Sequence, residues 1–576
     1  MLLIDFETHY TKEYSLKHMP TWQYLRDPRF ECLGAAVYAS GEAEPRYLRG
    51  DALREYLQAH TDQTAVAHNA AFDASVGWHW AGWRPKRWLC TQLMARYAIS
   101  QGLLPPELGV SLKALGEHFG MVKGDTAEAV AAGGEVLEDY ALQDLRILAR
   151  LLQELGPKVP MMERDLIDLH VTMAAYPVLD LDVGILKELA EKANIPDDLA
   201  KACRSRATFQ KMLEARGVEV GMKTSPRTGK LTPAVAKSDA FMRGLEHHPD
   251  PVVRRLAEVR LQVASTIKQS RAQRFLDVGA PMPVPLLYYG AHTGRASGQD
   301  KLNLQNLPSR GDAGRLRHAL KAPPGYKLVI VDSGQIEVRV LGWLAGCARI
   351  LETARKFDAG EGPDFYVDFA SREMFPGTAV TDVTDHQRKL AKPPVLACGF
   401  GQRWRGLMNY AASMGVELSE ERSQRAVSAY DRAFPEVVDY QRQTYREVVA
   451  TGQQRLHSGR LLTYPDLRND GRDVVYTRHK IFSKSAGRDT VRLWHGITTE
   501  NAVQAEARDV VMWQTLRLAE TYRVVLSAHD EAVLCVPEAQ AEQALADALD
   551  AFATAPPWAP GLPVAGEGQI SDHYTK

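Results

Sequence analysis

The sequence predicts a protein of several domains that combines α/β and α+β folds. Its 576 residues are too many for one hydrophobic core, so three or four domains are expected. Up to about residue 155, strand-like and helix-like stretches alternate, which is typical of an α/β domain. Helical patterns dominate from about 160 to 275. From about 285 onward strands mix with long helices again, which predicts a small sheet with a helical lobe inserted into it.

Composition limits the class of protein and its location. Apolar residues make up 45% of the chain and charged residues 24%, as in ordinary globular proteins. The net charge of −1 leaves a nucleic-acid partner open, because a basic groove and an acidic metal site cancel in the sum. Six scattered cysteines without a CxxC pair fit a reduced cytoplasmic compartment. No signal peptide and no membrane-spanning run are expected, so we predict a cytoplasmic protein without membrane contact.

The first block carries strands and helices with polar residues at their ends. The predicted strands are Leu2–Phe6, Cys32–Tyr38 and Thr64–Ala67, and helical patterns follow at Leu53–His60 and Leu137–Leu155.

Three acidic signals occur in this block. Asp5 and Glu7 end the first strand, and a period of two places them on the same side. Asp73 opens a helix after the third strand. Tyr140 and Asp144 are four residues apart, which stacks them on one helix face. Such a tyrosine can hold an attacking water beside a bound metal. Each signal alone is common by chance, whereas all three in this order are not.

Two further acids lie at strand ends about 200 residues apart. Asp332 follows the apolar run 327–331. Asp530 lies in the turn of a predicted hairpin, between the apolar runs 524–526 and 533–536. Either acid alone is more often part of a solvated turn. Two metals roughly 3.5–4 Å apart, bridged by carboxylates, are the recurrent device for in-line phosphoryl transfer, so the pair predicts a shared metal site.

Basic residues interrupt or line several helical patterns. The loop Lys223–Lys230 is explained at least as well by a solvated connector as by a function. The predicted helix Pro251–Leu276 carries six basic residues, which fit either a solvated face or a face that follows phosphates. They are Arg254, Arg255, Arg260, Lys268, Arg271 and Arg274.

Three long helical stretches lie between the two acidic strands. The stretch that begins at Asp385 places Arg388 and Lys392 four residues apart, so both cations face one way and suit a triphosphate. A surface salt-bridge face is the alternative. Pro393-Pro394 predicts that this helix kinks or restarts, because an interior proline costs roughly 3 kcal/mol or more. The stretches are Pro363–Phe375, Asp385–Leu396 and Ser419–Thr451.

The acids of the first block resemble those of the DEDD superfamily of 3′–5′ exonucleases, in its tyrosine-bearing branch. The resemblance implies a ribonuclease H-like exonuclease domain over residues 1–158. It also implies that Tyr140 orients the attacking water and that four acids bind metal, namely Asp5, Glu7, Asp73 and Asp144.

The chain from about 285 onward resembles the polymerase half of bacterial DNA polymerase I, that is, family A. Five segments carry the resemblance in the expected order, and two of them are closest to compact phage-type members. They are Thr293–Ser297 with Asn303–Pro308, Asp332–Arg339, Arg388–Lys392 with Gly399–Gly401, Glu500–Asp509, and His529–Glu531.

The resemblance implies a role for residues in each segment. Asp332 and Asp530 hold two Mg²⁺ ions, for which Mn²⁺ can substitute, and Glu531 is an outer or occasional ligand. Glu337 excludes ribonucleotides, and Phe400 cannot donate the bond by which a tyrosine holds this glutamate in relatives, so another donor is expected. The predicted nucleotide contacts are Gln335, Glu337, Arg388, Lys392, Leu396, Phe400 and His529. The predicted DNA contacts are Arg295, Asn303, Gln305, Asn306, Asn501 and Gln504.

The resemblance further implies a right-hand polymerase with thumb, palm and fingers. The expected boundaries are 159–280 for the thumb and connecting helices, 281–345 and 456–576 for the palm, and 346–455 for the fingers. We expect a monomer without a preceding 5′-nuclease block, which extends primer–template DNA with dNTPs, proofreads, and replicates a phage genome. Processivity or replisome partners are not identified by the sequence.

Two alternatives remain. One is a single-subunit RNA polymerase, against which Glu337 and the exonuclease signals argue. The other is a nucleic-acid-binding scaffold with a decayed polymerase site and an active exonuclease, because Ser333 and Gly334 replace the aromatic residue and serine usual after Asp332. The intact Asp332, Lys392 and Asp530 argue against this second alternative.

Overall fold

The computed structural model describes residues 1–124, 126–191, 196–224, 231–236, 239–264, 266–308, 311–482 and 490–576. These residues form two compact units. The first unit contains residues 1–180, 283–306 and 322–575, and the second contains residues 181–282, 307–321 and the last residue. Both sets of acids identified in the sequence lie in the first unit. No helix in the described ranges is both long and apolar enough to cross a membrane.

The first unit begins with a five-stranded sheet in the order β3-β2-β1-β4-β5. Strand β1 lies at its centre, antiparallel to β2 and parallel to β4. Its apolar residues are buried on both faces because helices cover the sheet. The three strands predicted from the sequence are confirmed. The strands are β1 (Leu2–Thr8), β2 (Cys32–Ala39), β3 (Arg46–Leu48), β4 (Thr64–Ala67) and β5 (Arg87–Cys90).

In the described part of residues 1–180, eight helices accompany this sheet, and the two predicted from apolar spacing are confirmed. The longest, α7, packs against β1 and β2 through a buried face that includes Tyr140 and Asp144. The helices are α1 (Thr21–Leu25), α2 (Gly50–Ala59), α3 (Ala70–Ala81), α4 (Thr91–Ser100), α5 (Leu112–His118), α6 (Thr126–Ala132), α7 (Gly134–Leu155) and α8 (Met161–Ala175).

The chain from 180 to 321 contains short strands and the described helices of the second unit, while residues 283–306 within it belong to the first unit. The core of this unit is formed by apolar side chains such as Phe209, Leu213 and Val253. The strands are β6 (Asp180–Leu181), β7 (Met222–Thr224), β8 (Leu231–Pro233), β9 (Leu286–Leu287), β10 (Ser297–Gly298) and β11 (Leu320–Lys321). The helices are α9 (Val183–Ala190), α10 (Asp197–Arg204), α11 (Arg206–Glu214), α12 (Ala240–Gly244), α13 (Pro251–Ala264), α14 (Thr266–Val278) and α15 (Gly311–His318).

The structure changes the interpretation of the basic segments in this region. The predicted helix 251–276 corresponds to α13 and α14, and residue 265 between them lies outside the described residues. Arg260 is only 6% exposed and donates to the backbone carbonyl of Arg204 at 2.6 Å. It therefore stabilises the core of the unit and belongs to neither a solvated face nor a phosphate-following face. Residues 225–230 of the basic loop also lie outside the described residues.

The chain from 322 onward forms a four-stranded antiparallel sheet in the order β18-β19-β12-β20. Helix α24 packs against β12 and β20. The strands of this part of the chain, of which β13 to β17 belong to two smaller sheets, are β12 (Tyr326–Ser333), β13 (Gln453–Arg455), β14 (Leu461–Thr463), β15 (Arg468–Asn469), β16 (Val474–Thr477), β17 (Thr490–Leu493), β18 (Val524–Ala528), β19 (Glu531–Pro537) and β20 (Gly566–Ser571). The helices are α16 (Ile336–Leu344), α17 (Ala348–Asp358), α18 (Phe365–Phe369), α19 (Asp385–Gly399), α20 (Trp404–Ser413), α21 (Glu420–Ala433), α22 (Pro435–Thr451), α23 (His495–Ala519) and α24 (Ala541–Ala553).

The predicted helical insertion between the acidic strands is confirmed, with three differences in detail. The stretch 363–375 is α18 followed by a π-helical turn, and the stretch 419–451 is split at Phe434, because Pro435 starts a new helix. The predicted restart at Pro393-Pro394 is wrong, because α19 runs through both prolines. Both are buried, and α19 packs against α18, α20 and α21, so tertiary packing offsets the lost backbone hydrogen bonds.

A buried ion-pair network joins α8 to α23. Arg508 binds Glu163 with both terminal nitrogens, at 2.6 and 2.8 Å. Arg460, in the turn between β13 and β14, binds Asp509 at 2.8 Å. The Tyr288 hydroxyl donates to Glu163 at 2.5 Å. All four charged side chains are at most 4% exposed, so their charges depend on one another for compensation.

We expect Glu163→Ala to lower the free energy of unfolding by about 3–5 kcal/mol, because two buried arginines would then share one carboxylate. Urea denaturation followed by circular dichroism measures the change. Glu421→Ala is the control, since its ion pair with Arg425 is exposed and should matter far less. Equal effects of the two substitutions would contradict the role of the network.

Candidate active sites

The acids of the first block converge beside β1. Asp5 and Glu7 lie on β1, Asp73 lies in the first turn of α3, and Asp144 lies on the buried face of α7. The backbone N–H of Phe6 donates to Asp73 Oδ1 at 3.1 Å, which fixes α3 against the strand. The structure brings these acids together beside β1, and Glu7, Asp73 and Asp144 are 8%, 2% and 3% exposed.

Lys123 is a member of this site that sequence reasoning missed. It precedes α6, forms an ion pair with Asp144, and contacts the Tyr140 hydroxyl. Its ammonium lies 4.4 Å from the centre of the Tyr140 ring. Thr126 Oγ1 lies 2.6 Å from the same hydroxyl. A single lysine in a loop gives no sequence signal of its own.

Burial dominates the electrostatics of these carboxyl groups. It raises the pKa of Asp5 to about 6, against the charge of Lys123. It raises the pKa of Glu7 to about 8, an increase to which the neighbouring Asp5 contributes. The pKa of Asp73 is also well above its ordinary value through burial and Asp5. Since burial and mutual repulsion both disfavour the anions, the site favours a bound cation.

The same carboxyl groups fit a hard divalent cation such as Mg²⁺, which prefers oxygen ligands. Asp144 Oδ1 is buried and accepts no hydrogen bond from the part of the chain that the structure describes. In these ranges, however, no three acidic, thiol or imidazole side chains are close enough together to hold a metal as they stand. The ammonium of Lys123 is the cation that the cluster contains.

The second acidic site is assembled by strand pairing. In the antiparallel register of β12 and β19, Asp332 lies opposite Glu531. The backbone N–H of Ser333 donates to the carbonyl of Asp530 at 2.9 Å. The predicted hairpin is confirmed as β18 and β19, joined by a turn in which His529 has a φ of 57°. Asp332 and Asp530 therefore lie at the same end of the sheet.

Glu531 faces the protein interior. Its side chain is 3% exposed and accepts a hydrogen bond from the Tyr574 hydroxyl. Gln335, three residues after Asp332, immediately precedes α16 and has a left-handed φ of 54°. This conformation turns the chain directly from strand into helix, which brings Glu337 into the first turn of α16.

Helix α19 presents two cations on one face, as its spacing predicts. Arg388 is held by Asp364, at 2.6 Å between Nη2 and Oδ2. Arg388 Cζ and Lys392 Nζ lie 5.2 and 5.4 Å from the centre of the Tyr366 ring. A positive, half-buried surface results, of the kind that binds phosphate groups. Leu396 and Phe400 follow on the same helix and at its end, and both are half-buried.

Glu337 is held by Arg295, the donor that the sequence could not identify. Arg295 Nη2 lies 2.7 Å from Glu337 Oε1. Glu500 on α23 is close enough that the charge of Glu337 raises its pKa, after the larger effect of burial, while Arg295 lowers it. Arg295 was predicted to contact DNA, and here it also stabilises two neighbouring acids.

The residues predicted to contact DNA separate into two groups. Gln305 and Arg295 line a cavity of ≈ 20 Å³ together with His529, and Gln305 donates to the carbonyl of Ser527 at 3.2 Å. The remaining residues make local contacts elsewhere and do not line this cavity. These are Asn303 with Asn306, Asn501 with Tyr464, and Gln504 with Glu500.

The part of the chain that contains the second site matches a known protein family. The profile of DNA polymerase family A matches residues 285–574. The chain belongs to DNA polymerase family A. The matched residues include every strand of the four-stranded sheet, the helical insertion and α23, so the predicted family and mixed α/β fold are confirmed.

Relatives within family A are distant but cover much of the chain. DNA polymerase I of Pseudomonas aeruginosa is 26% identical over 434 residues, which are 70% of this chain and 44% of that protein. The DNA polymerase of Bacillus phage SP02 is 25% identical over 453 residues, 68% of this chain and 65% of the relative. The thermostable DNA polymerase I of Thermus thermophilus is 30% identical over 278 residues, 47% of this chain and 30% of the relative. The chain thus spans less than two thirds of each of these relatives.

A solved family A structure has the same fold. The POL domain of Pol1 from M. smegmatis, in complex with DNA primer-template and dNTP, matches with a TM-score of 0.70 at 18% identity. The match covers 100% of this chain and 95% of that one. At this identity the likeness establishes the fold.

We expect Lys123→Ala to lower the melting temperature by several degrees in EDTA, because the carboxylates lose their only counter-charge in the described part of the site. Saturating Mg²⁺ or Mn²⁺ should restore most of the lost melting temperature, since a divalent ion replaces the ammonium. Lys327→Ala, which removes an exposed ion pair, is the control. If Lys123→Ala lowered the melting temperature equally with and without metal, Lys123 would not be the counter-charge of a metal site.

Proposed function

We propose that the protein is a template-directed DNA polymerase that adds dNTPs to a primer 3′-hydroxyl by phosphoryl transfer. The observation that carries the proposal is the strand register that brings Asp332 and Asp530 to one end of the four-stranded sheet. Family membership supports it, as do the relatives that are DNA polymerases and the Pol1 structure, which is a complex with DNA primer-template and dNTP. Primer–template DNA and dNTPs are therefore the proposed partners.

Asp332 and Asp530 would hold the two divalent ions, Mg²⁺ or Mn²⁺. When bound, these ions activate the 3′-hydroxyl and neutralise the triphosphate. Lys392 and Arg388 on α19 take part of the charge that moves onto the leaving pyrophosphate. His529, exposed in the turn beside Asp530, supports the primer terminus.

The residues around these acids account for selection of nucleotide and template in this proposal. Glu337 excludes ribonucleotides by crowding the sugar 2′ position. Gln335, Leu396 and Phe400 line the nucleotide site. The minor groove of the primer–template, whose acceptors are the same for every correct pair, is contacted by donors that include Arg295 and Gln305. The further proposed contacts are Asn303, Asn306, Asn501 and Gln504.

The acids beside β1 support a second activity, 3′–5′ exonuclease proofreading. Asp5, Glu7, Asp73 and Asp144 would hold the metal ions. Burial raises the pKa of Tyr140, which keeps its hydroxyl protonated. This hydroxyl orients the attacking water. The family match begins at residue 285, so this proposal depends on the geometry of the first block.

The proposed organisation follows the right hand of family A. Residues 1–158 form the exonuclease, 159–280 the thumb and connecting helices, 281–345 and 456–576 the palm, and 346–455 the fingers. We further propose a monomer that works in the cytoplasm of a bacterium or phage-infected cell, and that replicates a phage genome, which the phage relative supports.

The two activities should be separable by substitution. Asp5→Ala combined with Glu7→Ala should abolish 3′–5′ degradation of a labelled single strand and leave primer extension largely intact. Asp530→Asn should abolish extension and leave degradation. Both activities are measured on the same DNA by gel electrophoresis, with and without dNTPs.

Circular dichroism and melting temperature confirm that each variant is folded. Loss of both activities in one folded variant would refute two separate sites. An unmutated protein that extends primers but degrades no DNA would refute the exonuclease alone.

A further inference from the structure

The contact between Arg295 and Glu337 joins two segments that are far apart in the sequence. Arg295 lies in the loop between β9 and β10, and Glu337 lies in the first turn of α16. Their side chains are 20% and 29% exposed, and Nη2 and Oε1 are 2.7 Å apart. A charge-assisted hydrogen bond of this length in partial burial restricts both side chains.

Arg295, and not the residue at position 400, is the side chain that donates to Glu337 in the structure. Phe400, at the end of α19, carries no side-chain donor that could reach a carboxylate. The neighbouring Glu500 adds repulsion, because the charge of Glu337 disfavours its anion, and Arg295 opposes this effect. Without Arg295, Glu337 would lose this ion pair and keep the repulsion from Glu500.

The guanidinium of Arg295 keeps one donor that no described residue uses. Its Nε is buried and donates no hydrogen bond to any described residue. The same side chain lines the small cavity with Gln305 and His529, next to the turn that carries Asp530. One planar guanidinium can therefore hold Glu337 through Nη2 and still carry an unused donor, Nε.

We propose that Arg295 is the positioning residue of the sugar gate, and that it selects deoxyribonucleotides by fixing Glu337. The proposal rests on the polymerase function proposed above. A carboxylate can exclude a 2′-hydroxyl only if it cannot swing aside, so its support decides how well it discriminates.

The test measures kcat and KM for insertion of one matched dNTP and of the corresponding rNTP. The variants are Arg295→Ala, Arg295→Lys, Glu337→Ala and the double variant Arg295→Ala/Glu337→Ala. Gln305→Ala is the matched control, because Gln305 lines the same cavity but is not bonded to Glu337 in the structure. The quantity compared is the ratio of kcat/KM for rNTP to kcat/KM for dNTP.

We expect Arg295→Ala to raise this ratio by about tenfold or more, mainly through a lower KM for the rNTP, as loss of a charge-assisted hydrogen bond implies. Arg295→Lys should give an intermediate ratio, because lysine keeps the charge but not the planar fork. If Arg295→Ala extends primers too slowly for the ratio to be measured, Arg295→Lys takes its place in the test. The double variant should match Glu337→Ala, since both substitutions disable one gate. Gln305→Ala should leave the ratio unchanged.

An unchanged ratio in both arginine variants, with a raised ratio in Glu337→Ala, would overturn the role of Arg295 and leave the polymerase proposal standing. A ratio in the double variant equal to the product of the two single effects would also overturn it. An unchanged ratio in Glu337→Ala would remove the gate itself, and this inference with it. Absence of insertion by the unmutated protein would overturn the polymerase proposal and therefore this one.

Discussion

The proposed polymerase site depends on the hydrogen-bonded register between β12 and β19. This register sets Asp332 opposite Glu531 and lets Ser333 donate to Asp530, although about 200 residues separate these segments. A shift of one residue would turn Asp332 to the other face of the sheet, and the two acids would no longer share one end. The long apolar runs of both strands, buried in the sheet, make such a shift costly.

Concentrated negative charge is the second constraint on the first unit. Strand pairing and helix packing bring carboxylates together at two places, and each needs positive charge nearby. Lys123 supplies it beside Asp144, and Arg295 supplies it between Glu337 and Glu500. The buried network around Arg508 meets the same requirement in the core, where it fixes α23 against α8. In all three places a cation in direct contact compensates the acids.

Sequence reasoning located the acids but not their partners. Asp5, Glu7 and Asp332 could be found because strand ends and a period of two leave a pattern in the sequence. Lys123 and the pairing of Arg295 with Glu337 leave none, since loops far apart in the chain determine them. Tertiary packing also overrode local rules, as the uninterrupted α19 and the buried Arg260 show. The fold class and acidic residues were thus predictable, whereas the charge compensation required the structure.

The most direct test of a metal-dependent polymerase site is anomalous diffraction from crystals that contain Mn²⁺, primer–template DNA and a non-hydrolysable dNTP. We predict two manganese peaks about 3.5–4 Å apart between the carboxylates of Asp332 and Asp530, with the triphosphate facing Arg388 and Lys392. Bound DNA and nucleotide without manganese at Asp332 and Asp530 would contradict the assignment of these two acids as the centre of catalysis.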